Sequence, residues 1–408
     1  MSNLSFNEAG NSPLQRFLHQ ENEKDASRLD LTNYAPLLDA DITVWDTVGD
    51  WIRRHQPLLV NLSMSSIQLD DQKTQRWVRR CFPFNEIHEK TDELGPCSWK
   101  SLDLSFNNLG QNTARLLART VLIHNIPLQV LQLNSNSLGN TGVTTLSSTI
   151  LEGDRIPTLQ EISLAANRCD PAVVAPSLLT NRSLRKLDVS YNRMSYRGCV
   201  AFAEVLRTRR SGLQELSLAY CRIGPRGFSV LVEALAKEQH QLRELVLDCN
   251  ELGNQGARGV ARLISSPTNT IANLFLRRNG ITGDGVVALA EALHNNTVVN
   301  SLVLTHNDLQ ETGERALDAV LQTNRVVSEM GTLTSSSSSP SSAMRLGRLH
   351  FQVACNKNGF WSLLESEDQL ICWEVLVARL FGRTNAPRGL DLVFCLLRNR
   401  PDLVTRPY

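Results

Sequence analysis

Between residues 213 and 224 the chain reads Leu-Gln-Glu-Leu-Ser-Leu-Ala-Tyr-Cys-Arg-Ile-Gly, with apolar residues at positions 1, 4, 6 and 11 and polar or small residues between them. The pattern returns 29 residues later as Leu242, Leu245, Leu247, Asn250 and Leu252, and again as Ile271, Leu274, Leu276, Asn279 and Ile281. Aligned on position 1, units begin at Trp99, Leu128, Leu159, Leu184, Leu213, Leu242, Ile271 and Val299, with spacings of 29, 31, 25, 29, 29, 29 and 28. The two-residue alternation of positions 4 and 6 predicts a short strand with those side chains inward and the residues beside them facing solvent. Farther into each unit the period changes. A glycine (Gly142, Gly198, Gly227, Gly256, Gly285, Gly313) precedes apolar residues four apart, such as Leu231 and Leu235 or Leu289 and Leu293, which is one face of a helix. Each unit is therefore predicted to be a strand followed by a helix. Units that cannot bury their apolar faces alone must stack on their neighbours.

Position 9 is Asn107, Asn136, Asn167, Asn192, Asn250, Asn279 and Asn307, with Cys221 the exception. A buried amide there can donate to and accept from backbone groups, so this column is expected to be a structural ladder. The third unit departs from the pattern: Asp170-Pro171-Ala-Val-Val-Ala-Pro176 stands where the glycine belongs, which predicts a short or broken helix. A degenerate ninth unit precedes the eight, with Leu59, Leu62, Met64 and Leu69 in frame but Ile67 in place of Asn.

The L-x-x-L-x-L-x-x-N-x-L strand and the G-x-x-x-L-A-x-x-L helix together resemble the ribonuclease-inhibitor type of leucine-rich repeat, over about residues 58 to 325. That type is shared by ribonuclease inhibitor, Ran GTPase-activating protein, the sensor regions of NOD-like receptors and several ciliary scaffolds. The resemblance implies an α/β solenoid (a horseshoe with parallel strands on the concave face and helices on the convex face) closed by helical caps at both ends.

The flanks carry different patterns. Residues 1–30 are polar and charged and are expected to be a mobile tail. Residues 31–98 place Leu37, Leu38, Val44, Trp45, Val48 and Ile52 on an apolar stripe and are expected to form an N-terminal helical cap containing the degenerate unit. The eight clear repeats occupy residues 99–326. Residues 327–344 include Ser335-Ser-Ser-Ser-Ser-Pro-Ser-Ser and read as a linker or loop, although Val327 and Met330 could open one more degenerate strand. In residues 345–408, Leu346, Leu349, Phe351 and Val353 suggest a strand. Trp373, Leu376 and Leu380, then Phe394 and Leu397, mark two helices that would dock on the last repeat as a C-terminal cap.

Charge narrows the function classes. With 42 basic and 41 acidic residues, nothing points to nucleic acid or an anionic membrane as partner. No stretch is long and apolar enough to span a bilayer. The N-terminal residues lack a secretory or transit pattern, so a cytoplasmic location is expected, with nuclear or ciliary association as variants. The nine cysteines include no C-x-x-C pair and read as reduced, with Cys169, Cys221 and Cys249 at or beside the turn. No metal, cofactor or small-molecule substrate is implied, and no nucleotide-binding, metalloprotease or nucleophile-elbow motif occurs.

Because the leucines are dictated by packing, partner information must lie at the free strand positions 5, 7 and 8. There Phe106, Tyr191, Tyr220, Val246, Phe275, Arg277, Arg278 and His306 are candidates for binding a partner protein, since aromatic and Arg side chains dominate interface energies. The competing reading is that the chain's own C-terminal cap covers Val246, Phe275 and Val303. The leading expectation is thus a non-enzymatic scaffold or adaptor that binds another protein on its concave face. Two alternatives remain: a structural subunit of an axonemal or other large complex, and a GTPase-activating protein. The second arises because Asn136-Ser-Leu-Gly-Asn-Thr-Gly142 looks like the loop with which Ran GTPase-activating protein presents a functional Asn. Against it, Asn136 occupies the common ladder position, and the acidic tail of that family is missing. Ribonuclease inhibition fits poorly with a chain that is neither acidic nor Cys-rich.

Overall fold

The computed structural model describes residues 13–25, 27–38, 40–82, 97–208, 212–237 and 240–358. The chain divides into two compact units, Met1–Cys221 and Arg222–Tyr408. In the first, strands β1 (Arg28–Asp30), β2 (Asn61–Ser63), β3 (Ser101–Asp103), β4 (Val130–Gln132), β5 (Glu161–Ser163), β6 (Lys186–Asp188) and β7 (Glu215–Ser217) are parallel and neighbour one another in chain order. Helices α1 (Pro13–Lys24), α2 (Val44–His55), α3 (Asp71–Cys81), α4 (Gln111–Ile123), α5 (Gly139–Ile150), α6 (Ala175–Leu178) and α7 (Tyr196–Arg207) alternate with them. The second unit contains α8 (Gly224–Lys237), β8 (Glu244–Val246), α9 (Gly253–Ile264), β9 (Asn273–Phe275), α10 (Gly283–Leu293), β10 (Ser301–Val303), α11 (Gln310–Leu321) and α12 (Pro340–Asn358).

Register follows the repeat. Leu29, Leu62, Leu102, Leu131, Ile162, Leu187 and Leu216 face one another in an unbroken row in the first unit, and Leu245, Leu274 and Leu302 do so in the second. All ten are position-4 residues no more than 2% exposed. Each of these buried side chains contributes ~1.5–3 kcal/mol, more than the net ~0.5–1.5 kcal/mol of any single hydrogen bond in the ladder. Glycine allows the helices to approach closely: a Cβ built on Gly313 would lie 2.8 Å from Cβ of Val286 on the neighbouring helix.

The asparagine column ties successive turns together. Asn307 Oδ1 accepts from the amides of Asn279 (3.0 Å) and Ile281 (3.1 Å) in the preceding repeat. Its Nδ2 donates to the carbonyls of Leu276 (2.8 Å) and Leu304 (3.0 Å), one in each repeat. Asn107 does the same for the degenerate unit, accepting from Ile67 and Leu69 and donating to Met64. Ile67 therefore needs no amide of its own to hold its turn, because each Asn serves the repeat before it. Cys221 breaks the pattern: its thiol reaches the Val189 carbonyl at 3.5 Å, but the Met194 amide is held by the Cys221 backbone carbonyl instead.

A second set of links joins helix starts. The Asp71 carboxylate on α3 accepts from the amides of Gly110 (2.8 Å) and Thr113 (3.1 Å) and from the Thr113 hydroxyl (2.6 Å) at the start of α4. Burial pushes its carboxyl up, but those hydrogen bonds outweigh burial and hold it below its ordinary value. In the third repeat Asp170 caps a single 3₁₀ turn (Pro171–Val174), followed by the four-residue α6, so the prolines do shorten that helix.

The ends differ from the sequence-based expectation. Of the tail expected over residues 1–30, residues 1–12 and 26 lie outside the described residues, and the others are not a mobile tail. Leu14 and Leu18 of α1 are buried, the Trp51 indole donates to the Leu18 carbonyl at 3.1 Å, and β1 pairs with β2. The apolar spacing of Leu14, Phe17 and Leu18 is helical, but charged neighbours dilute it. Within residues 31–98, Trp45, Val48 and Ile52 of α2 are buried, and β2 and α3 form a full strand–helix unit; residues 83–96 lie outside the described residues.

At the other end, the amides of Leu302 and Leu304 donate to the carbonyls of Glu329 and Met330, a partial further strand. The serine run is not a free linker. Asp308 accepts from the Ser336 amide at 2.7 Å, and the buried Ser342 hydroxyl bonds Glu314. The strand expected over Leu346 to Val353 is instead helix α12, packed on α11 with Leu349, Phe351 and Cys355 buried. Its inward face is partly ionic: Arg345 pairs with the fully buried Glu314 (3.0 Å) and Arg348 with Asp318 (2.8 Å), so apolar spacing alone could not reveal it. Trp373, Leu376, Leu380, Phe394 and Leu397 lie outside the described residues.

Asn279→Ala removes an acceptor for two amides and a donor to the Leu247 carbonyl, all at a site 1% exposed. Stranding those groups is expected to cost at least ~2 kcal/mol in equilibrium urea unfolding; a loss well below ~1 kcal/mol would contradict the ladder.

Candidate functional site

One turn is repeated after every strand. Position 8 lies in the left-handed region throughout, with φ of +56° at Phe106, +57° at Tyr191, +56° at Tyr220, +51° at Arg278 and +60° at His306. Its amide donates to the carbonyl of position 7 in the next repeat, for example Phe106 to Asn134 (2.7 Å) and Tyr191 to Ala219 (2.8 Å). The inter-repeat ladder thus forces this conformation, whatever the residue. A side chain there costs about 1–3 kcal/mol relative to a relaxed backbone. Asn33 and Ser66 hold the same conformation after β1 and β2 (φ +55° and +56°), which extends the repeat to the start of the described chain.

Phe106 is 60% exposed, Tyr191 58% and Tyr220 40%. The rings of Tyr191 and Tyr220 stack at a centroid distance of 4.3 Å and an interplanar angle of 11°. These aromatics strain the backbone while remaining largely exposed, and the Tyr–Tyr stack, worth ~0.5–1.5 kcal/mol, offsets that strain only in part.

In the second unit, Arg278 and His306 are exposed, and Val246 and Phe275 are half-buried. Arg277 is anchored. Its amide donates to Asp248 Oδ1 at 2.7 Å, its guanidinium lies 3.5 Å from Asp248 Oδ2, and it sits 5.6 Å from the Phe275 ring centre. Burial pushes the Asp248 carboxyl above its ordinary value, partly offset by the Arg277 amide and charge.

Two expectations change. Position 7 is mostly not free: Ser105, Ala165, Ser190, Ala219 and Asp248 are buried and Asn134 and Thr305 half-buried, whereas Arg277 is exposed. Covering by the chain itself is realised at Val303, which is fully buried; a Cβ built on Gly331 would lie 2.9 Å from its Cγ1. Among the described residues nothing hides Val246 and Phe275 in this way, and both are half-buried. The eight candidates therefore fall into Phe106, Tyr191 and Tyr220 in the first unit and Val246, Phe275, Arg277, Arg278 and His306 in the second.

Two columns escaped the sequence reading. At position 3, Lys186 lies between Glu161 (3.7 Å) and Glu215 (3.4 Å). At position 10, directly after the ladder residue, Arg168 and Arg193 are exposed beside Tyr191. Register alone could have found them, as Asn167-Arg168 and Asn192-Arg193 sit one step beyond the column.

The chemistry available is limited. Among the described residues no group of three or more His, Cys, Asp or Glu side chains could hold a metal ion. Burial pushes the thiols of Cys169 and Cys221 up to about 12 and that of Cys199 to about 11, so they are protonated at neutral pH and poor nucleophiles. Asn136 is 4% exposed. Its Nδ2 donates to the carbonyls of Leu104 and Leu133, and its Oδ1 accepts from the Leu109 amide. Nothing of it is presented to a bound GTPase.

Four segments, residues 124–147, 180–203, 239–261 and 274–290, match the family model of the leucine-rich repeat. No curated protein matches the chain.

Arg278→Gly relieves a left-handed, exposed side chain. Its unfolding free energy is expected to stay within ~0.5 kcal/mol of wild type or rise; a loss above ~1 kcal/mol would show that this column stabilises the fold.

Proposed function

We propose that this leucine-rich repeat protein is a non-enzymatic scaffold or adaptor that holds a partner protein against side chains on the strand side of its repeats. Leucine-rich repeats generally mediate protein–protein interaction, and the finer reading rests on one observation. Exposed aromatic side chains occupy a backbone conformation that disfavours them, and at Phe106, which is 60% exposed, little burial offsets that cost. Tyr, Phe and Arg are the residue types that carry interface energy, and here they are held by a rigid ladder, so little entropy is lost when they are used.

The test is retention of partners from the native cell by the immobilised full chain. Proteins held by the wild type are expected to be lost from Tyr191→Ser/Tyr220→Ser or from Phe275→Ala/Arg278→Ser while the melting curve is kept. Retention unaffected by both variants but abolished by Arg258→Glu/Arg262→Glu on α9 would move the binding surface to the helices. Stimulated GTP hydrolysis by a small GTPase would refute the non-enzymatic reading.

A further inference from the structure

Beside Tyr191 the first unit has an open depression of about 590 Å³ lined by Asn140, Ala166, Arg168, Asp170, Tyr191 and Arg193. It lies at the carboxyl ends of β5 and β6. Its charge is unbalanced. Asp170 is committed to backbone amides, accepting from Ala172 at 2.9 Å and Ser195 at 3.4 Å. Asn140 Oδ1 is likewise committed to the Asp170 amide at 2.7 Å. Arg168 and Arg193 are exposed, and neither guanidinium has a hydrogen-bond or ion-pair partner among the described residues. Ion pairs elsewhere on the same unit, such as Arg76–Asp46 and Arg80–Asp50, show that its arginines are often neutralised. Arg168 is also held at φ +57°, as are Tyr191 (+57°) and Ala166 (+54°), so three of the lining residues carry the left-handed turn.

We propose that this depression binds a carboxylate-rich linear segment of the partner protein, its acidic side chains forked by Arg168 and Arg193 and an apolar neighbour laid on the Tyr191–Tyr220 stack. The proposal rests on the partner-binding reading above and names the partner's chemistry at one site. A guanidinium pairs with a carboxylate through two parallel N–H donors, and an aromatic face beside it accepts an apolar or ring side chain. A short peptide fits better than nucleic acid. Two arginines in one depression on a chain of net charge +1 do not make the continuous basic track that a phosphate backbone requires.

The test uses the full chain as bait for a phage-displayed library of random dodecapeptides, followed by fluorescence anisotropy with a synthetic copy of the leading sequence. The expected winners carry excess Asp and Glu around an aromatic or aliphatic residue. Their affinity should fall at least about tenfold in Arg168→Glu/Arg193→Glu and in Tyr191→Ala, and weaken with added salt. Both arginines are exposed, so the charge-reversed variant should keep the wild-type melting temperature, and panning it should yield basic peptides. Neutral or basic winners on the wild type, acidic winners indifferent to the arginine pair, or no enriched sequence would overturn the assignment. Winners that depend on Phe106 or Phe275 instead would overturn it while leaving the partner-binding reading standing. The retention experiment with Phe275→Ala/Arg278→Ser, outside this depression, judges that reading separately.

Discussion

A buried asparagine amide that serves two repeats at once is the constraint on which the rest of the molecule depends. Strands of three residues cannot hold a turn by themselves, and the chain that leaves them must enter a helix within a few residues. By accepting from two amides of the repeat before it and donating to carbonyls in both, Asn107, Asn192, Asn279 or Asn307 fixes the path of that chain. Asn192, Asn279 and Asn307 are shielded from water, so each unmade bond there would cost the full desolvation of its partner. The degenerate unit at Ile67 shows the direction of the dependence, since it lacks its own Asn and is held by the next one.

With the path fixed, position 8 must be left-handed and its side chain must stand out from the turn. The same constraint that builds the fold therefore creates, within each unit, display sites whose occupants stand clear of the core. Phe106, Tyr191, Tyr220, Arg278 and His306 fill them with residue types that a folding argument alone would replace by Gly or Asn. Structure and candidate function meet at this column: the backbone strain is a property of the fold, whereas the choice of side chain is not.

The repeat frame was legible because leucines at positions 1, 4, 6 and 11 have no alternative burial, and the prolines of Asp170–Pro176 announced the broken helix for the same local reason. Polar burial was illegible. Arg345 and Arg348 on α12 pair with Glu314 and Asp318 of α11, so a helix with a partly ionic inner face looked like a linker followed by a strand. Position 7 looked free because Ser105 and Asp248 are polar, yet both are buried. Arg168 and Arg193 stood outside the expected columns because the turn beyond the ladder Asn cannot be traced from strand alternation.

Native-state hydrogen exchange at the amides of Asn279 and Ile281 tests the ladder most directly. Both lie beyond the end of β9, and both donate to a side-chain oxygen, Asn307 Oδ1, rather than to a backbone carbonyl. They are predicted to exchange as slowly as the strand-flanking Leu276 amide, which bonds the Val303 carbonyl at 2.9 Å, opening only with the repeat as a whole. Exchange of these two amides on the timescale of an exposed loop, with Leu276 still protected, would contradict the ladder as the element that sets the turns.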